Sequence, residues 1–205
     1  ELAKAEHPSG DVILFCHPLP THGGFMDSHI LRKAANRLPA MTGISVFRFN
    51  TRGTESPHGK STGEFDGGNA ERFDLDAAYK FLADKFSRIW LVGWSFGTEL
   101  VLKYGAQYPI SGAVLLSPPL HRTSEQELIS WNQNPAPLVA LIPEFDDFLT
   151  EQPAREKFAV IPSIDIQVVA GAKHLWVGET YTREVLNRIV ALINPEFSPL
   201  PTEWD

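Results

Sequence analysis

Apolar residues in this chain fall into six short runs, each closed by glycine, proline or a polar cluster. They are 11–16, 44–49, 88–92, 112–117, 137–142 and 164–170. Val12 to Cys16 is uninterrupted, and the run from 44 is rich in β-branched and aromatic residues. Continuous apolar runs of this length predict strands buried on both faces, as in a parallel sheet.

Between the runs the apolar spacing changes to that of helices. Ser28 is placed to cap a helix reaching about Leu38, with Ile30, Leu31, Ala34, Ala35 and Leu38 on one face and Pro39 and Gly43 as its stop. Residues 70–85 and 98–107 read as helices, 121–131 as one short polar helix, and 151–158 as another. Residues 179–193 form an amphipathic last helix with Val185, Leu186, Ile189, Val190 and Ile193 inward. Residues 50–68 are rich in Gly, Ser, Thr and Pro and predict a surface loop. The segments 1–10 and 195–205 read as peripheral tails, the first too short for a hairpin.

Six strands alternating with helices predict an α/β fold. Right-handed crossovers would build a three-layer α/β/α sandwich around a mainly parallel sheet, one domain over 1–205. Ligands of such sheets bind outside the carboxyl ends of the strands. The loops at 17–24, 50–68, 93–97, 117–121, 143–147 and 171–176 are therefore where chemistry is expected.

Composition narrows the function classes. The 205 residues are 43% hydrophobic and 21% charged, enough for a sizeable core, and the net charge of -7 gives no basic footprint for nucleic acid. A single cysteine, Cys16, excludes a disulfide framework and a cysteine-based zinc site, and its apolar run makes it a core residue. No apolar run approaches the roughly 18 residues that span a bilayer, and no secretory signal is visible, so the expected location is cytoplasmic, with no membrane partner. The expectation for cofactors and metals is none.

The segment 89–100 is an apolar run, then Gly93-Trp94-Ser95-Phe96-Gly97, then a helix. Gly-x-Ser-x-Gly between a strand and a helix permits a sharp turn that leaves Ser95 at its apex. The start of the next helix, with its free N–H groups, is aimed at whatever Ser95 attacks. In this setting the chain resembles the α/β-hydrolases, in small, essentially lidless bacterial members with dienelactone-hydrolase-like architecture and serine as nucleophile. The family order is Ser, then Asp or Glu, then His, each at a successive strand end, and the chain offers Ser95, Asp146 or Asp147, and His174. A serine hydroxyl needs an imidazole to take its proton, and the imidazole needs a carboxylate to hold its tautomer. The register after Pro143 favours Asp146.

The resemblance also implies an oxyanion hole of two backbone N–H groups. One belongs to Phe96. The other comes from the loop His17-Pro18-Leu19-Pro20, where proline has no N–H and Leu19 remains. Trp94, Phe25 and Trp176 are expected to line a substrate pocket. Arg52-Gly53-Thr54-Glu55-Ser56 resembles a family segment that braces the loops, and 118–136 leaves room for one short helix instead of a lid. The implied function is a serine hydrolase cleaving a small ester or thioester through an acyl-Ser95 intermediate. The alternative is an idle member of the fold that only binds a ligand or partner.

Overall fold

The structure, a computed structural model, describes residues 1–202. Its centre is a seven-stranded sheet built from β1 (Leu2–Ala3), β2 (Asp11–Cys16), β3 (Ser45–Arg48), β6 (Arg88–Trp94), β7 (Gly112–Leu116), β8 (Leu138–Phe145) and β9 (Asp165–Lys173), with β4 (Glu55–Ser56) and β5 (Gly59–Lys60) forming a separate hairpin. The order across the sheet is β1-β3-β2-β6-β7-β8-β9, and every pairing except β1 with β3 is parallel. The helices are α1 (His29–Thr42), α2 (Glu71–Ala83), α3 (Phe96–Tyr104), α4 (Glu125–Ile129), α5 (Glu151–Phe158) and α6 (Glu179–Ile193).

Strand period divides the core into two layers. In β2, Val12, Leu14 and Cys16 face a layer closed by Leu75 and Leu82 of α2, Leu100 and Val101 of α3 and Phe158 of α5. Ile13 and Phe15 face the other, closed by Ile30, Leu31 and Leu38 of α1 and Val185, Leu186 and Ile189 of α6. The sandwich expected from the alternation is thus present, with α1 and α6 on one face and α2, α3 and α5 on the other. Each fully buried Leu or Ile contributes about 1.5–3 kcal/mol relative to exposure.

This topology creates the crevice that the site occupies. From β2 the chain crosses to β3 on one side, and later returns to place β6 on the other side of β2. The loops leaving the carboxyl ends of β2 and β6 therefore diverge at a switch point.

Several boundaries differ from the pattern. Seven strands replace about six, because Leu2–Ala3 pairs antiparallel with Phe47 and Val46. Two residues are too few to show alternation. The hairpin β4–β5 lies inside the segment expected as plain loop. Helix α1 runs through Pro39 to Thr42, whose hydroxyl donates to the Leu38 carbonyl at 2.7 Å, and Gly43 ends it in the left-handed region (φ 71°). Strands β8 and β9 outlast their apolar runs, because they stay paired as far as Phe145 with Lys173, across an irregularity at Pro143–Phe145. The expected helix at 121–131 begins only at Glu125, where Ser124 and Glu127 form a reciprocal capping box.

The tails are more engaged than expected. Ala5 and Leu200 are buried, and the Leu200 N–H donates to Asn187 Oδ1 at 2.9 Å. Residues 203–205 of the expected C-terminal tail lie outside the described residues.

Candidate functional site

Ser95 sits between β6 and α3 with φ 52° and ψ -116°, a strained conformation for a residue with a side chain. Its surroundings hold it there. The Ser95 N–H donates to the Leu116 carbonyl at 2.9 Å, continuing the β6–β7 ladder, and the Ser95 carbonyl accepts from the Thr98 N–H (2.9 Å) and hydroxyl (2.6 Å). The flanking glycines are required by space. A Cβ on Gly93 would lie 2.4 Å from the Gly97 carbonyl oxygen, and one on Gly97 would lie 2.1 Å from that of Cys16.

Three strand ends converge on this turn. His174, following β9, places Nε2 2.9 Å from Ser95 Oγ and Nδ1 2.9 Å from Asp146 Oδ2. Asp146, following β8, fixes its other oxygen by accepting the N–H groups of Phe148 (2.8 Å) and Leu149 (3.1 Å). A carboxylate can only accept, so Nδ1–H donates to Asp146 and Nε2 is left to accept the Ser95 hydroxyl proton. Asp146 and His174 are both buried, whereas Asp147 is exposed and forms no hydrogen bond or ion pair with His174. Of the two candidate acids, it is Asp146 that meets the imidazole.

The backbone of His174 is held as closely as its ring. Its carbonyl accepts from the Trp94 indole N–H at 3.2 Å and the Ser117 hydroxyl at 3.1 Å. Ser117 follows β7 and also has a positive φ, 50°. The edge-to-face ring of Phe148 lies 4.6 Å from the imidazole centroid.

The loop after β2 supplies the opposite wall. The Leu19 carbonyl accepts from the His22 and Gly24 N–H groups, and its own N–H, between two prolines, has no partner among the described residues. Phe96 is the first residue of α3, where an amide has no intrahelical partner. Both residues line the cavity that contains Ser95 and His174. Beneath the loop, buried His17 ties it to the segment after β3. Its Nδ1–H donates to the Pro18 carbonyl at 2.7 Å, and Nε2 accepts from the Thr51 N–H and hydroxyl, both at 3.1 Å. Burial pushes the His17 imidazole down to about 4, the Pro18 contact opposing. Arg52 makes a two-point ion pair with Asp74 of α2, anchoring that same segment.

The cavity has a volume of about 790 Å³ and walls that include Leu19, Phe25, Trp94, Phe96 and Phe148. Trp94 and Phe25 therefore stand where the pocket was expected. Trp176 does not: it is fully buried in the layer formed by α1 and α6. The chain reverses after β9, with the Trp176 N–H donating to the Lys173 carbonyl and Trp176 at φ 51°, and Leu175 meets the cavity instead. Sequence reasoning also missed Ser117, Glu99 and Arg122. Ser117 ends an apolar run at a strand end, which was its one visible signal. Among the described residues, no group of three or more His, Cys, Asp or Glu side chains could hold a metal ion, and no helix is long and apolar enough to cross a membrane.

With the geometry in view, similarities to known proteins fall into place. The uncharacterised protein RP471 of Rickettsia prowazekii is 26% identical over 184 residues, covering 85% of this chain and 75% of that protein. A solved alpha-beta serine hydrolase homologue from Coxiella burnetii matches with a TM-score of 0.77 at 24% identity, covering 94% of this chain and 89% of its own. A serine hydrolase without lid from Xanthomonas campestris matches with a TM-score of 0.74 at 23% identity, covering 99% and 89%. The family model described as the alpha/beta hydrolase fold matches residues 11–155, from the first residue of β2 into α5. That stretch is well over half of the sequence, and the chain belongs to the α/β-hydrolase fold family.

Proposed function

We propose that this protein is a serine hydrolase that cleaves a small carboxylic ester or thioester through an acyl-Ser95 intermediate. The observation that carries the reading is the unbroken hydrogen-bonded path from Ser95 Oγ through His174 to Asp146, opening on a cavity. His174 Nε2 takes the Ser95 proton as Oγ attacks the substrate carbonyl. It then gives that proton to the leaving alcohol or thiol, and activates water to release the acid. Asp146 holds the imidazole in the required tautomer and stabilises its cation. The N–H groups of Phe96 and Leu19 stabilise the oxyanion, a role worth about 3–4 kcal/mol per donor where it has been measured.

The open cavity suits a small substrate. Between β7 and β8 there is only the five-residue α4 and a short 3-10 turn, Ser130–Gln133, and nothing in that segment amounts to a lid. The similar protein from Coxiella burnetii is described as a serine hydrolase homologue and that from Xanthomonas campestris as a serine hydrolase without lid, and they add support.

The test is hydrolysis of 4-nitrophenyl acetate and butyrate by wild type and Ser95→Ala, with labelling of Ser95 by a fluorophosphonate probe. Turnover should fall by at least about three orders of magnitude in the variant, and the probe should label wild type alone. Folded wild type that neither turns over nor labels between pH 6 and 9 would instead favour an idle ligand-binding member of the fold.

A further inference from the structure

Behind Ser95 lies a fully buried carboxylate that the acyl-transfer steps do not use. Glu99, one turn along α3 from Ser95, has no solvent exposure. A buried carboxylate is costly unless paired and hydrogen-bonded. Both of its oxygens are answered by one residue: Oε1 accepts the backbone N–H of Arg122 at 2.6 Å, and Oε2 accepts Arg122 Nη1 at 3.0 Å. The Arg122 carbonyl accepts from Lys103 Nζ at 3.3 Å, so this point of the chain is tied to α3 on both its sides.

The result is a guanidinium held in a fixed place relative to Ser95. Its central carbon lies 5.8 Å from the centroid of the Phe96 ring, and Arg122 is among the residues that line the cavity of Ser95 and His174. Only Nη1 is engaged. Nε and Nη2 make no hydrogen bond among the described residues, and the side chain is about one-third exposed. Apart from Glu99, which holds Nη1, no acidic side chain pairs with it among the described residues. Of the acidic residues lining the cavity, Asp27 is ion-paired with Arg48, and Asp147 is exposed and forms no ion pair with Arg122. An anchored arginine with a free edge, in a cavity whose walls are mainly apolar, is built to receive a carboxylate.

We propose that Arg122 is a specificity-determining residue that binds a carboxylate at the far end of the acyl chain, and that Glu99 positions it. The preferred substrates are then half-esters or half-thioesters of short dicarboxylic acids. This inference rests on the acyl-transfer reading of Ser95.

The experiment compares kcat/KM for 4-nitrophenyl hemisuccinate with that for 4-nitrophenyl butyrate, which has no terminal charge. Wild type should favour the hemisuccinate, and Arg122→Gln should lower the ratio by about tenfold or more, mainly through KM for the anionic ester. Arg122→Gln strands the Glu99 charge, so Glu99→Gln/Arg122→Gln, which removes both charges, is measured alongside with thermal unfolding as a check on folding. Arg122→Lys should recover part of the preference. If wild type cleaves both esters through Ser95 with equal efficiency, or if the folded double variant keeps the wild-type ratio, the inference is overturned while the acyl-transfer reading stands. If Ser95→Ala cleaves either ester like wild type, the acyl-transfer reading itself has failed.

Discussion

Lowering the pH should weaken this protein through His17, a residue outside the proton path. Its imidazole is 1% exposed, and Nε2 accepts from the Thr51 N–H. A proton added at Nε2 would set one donor against another, without water to relieve it. Folding thus holds the imidazole neutral, with its value at about 4 against about 6.5 when unfolded. Between those values the unfolded chain binds more protons, so stability is fully present above pH 6.5 and is lost as pH falls towards 4. At about 1.4 kcal/mol per pH unit, the interval from 6.5 to about 4 amounts to about 3.5 kcal/mol, a large share of the roughly 5–15 kcal/mol typical of a domain. Carboxylates titrate in the same range, so the measurement must be a difference. His17→Leu keeps the bulk, removes the titration and leaves the buried Thr51 N–H without its acceptor, at a cost of about 2–4 kcal/mol near neutral pH. Urea unfolding followed by tryptophan fluorescence at pH 7.5, 6.5, 5.5 and 4.5 gives the gap between the two proteins. The gap should narrow by about 2–3 kcal/mol from the highest pH to the lowest, because only wild type has the His17 imidazole to protonate on unfolding. A gap that stays constant across the series would refute the reasoning.

Two further expectations concern the neighbours of His174. Asp146→Asn should lower kcat on 4-nitrophenyl butyrate by about 10³–10⁴-fold with little change in KM, since the amide no longer selects the tautomer that leaves Nε2 free. Asp147→Asn should stay within about twofold of wild type, and the reverse ordering of the two variants would move the acid to Asp147. Ser117→Ala removes one of the two donors to the His174 carbonyl; it should lower kcat by about 5–10-fold, leave KM and the melting temperature nearly unchanged, and broaden the His174 ring resonances in NMR spectra. Unaltered kcat in that variant would show that the Trp94 indole alone is enough to place the ring.

How much of this was legible in the sequence depended on whether a residue's partner could be inferred from the residue itself. The buried strands were legible, because Val12 to Cys16 or Ala113 to Leu116 fit only between two layers. Their ends were not, since β8 and β9 persist on ladder hydrogen bonds after the apolar residues stop. Ser95, Asp146 or Asp147, and His174 could be named because they stand at successive strand ends in the order of the family the chain resembles, and the register after Pro143 favours Asp146. Trp176 went wrong for a geometric reason: it stands two residues from His174 in the chain, but the turn at 173–176 sends its indole into the opposite layer. Glu99 was hidden for another. In the sequence it is one of a few polar residues in a mostly apolar helix, and its burial makes sense only beside Arg122, 23 positions later. The Ser117 contact is the least readable kind. Its acceptor is a backbone carbonyl, which every residue carries, so no pattern of residue types at 117 and 174 could have announced it. The side chains of the Ser95–His174–Asp146 path are therefore legible in the sequence, whereas the atoms that hold them in register, and those proposed to select the acyl chain, become visible only when the strand ends are brought together.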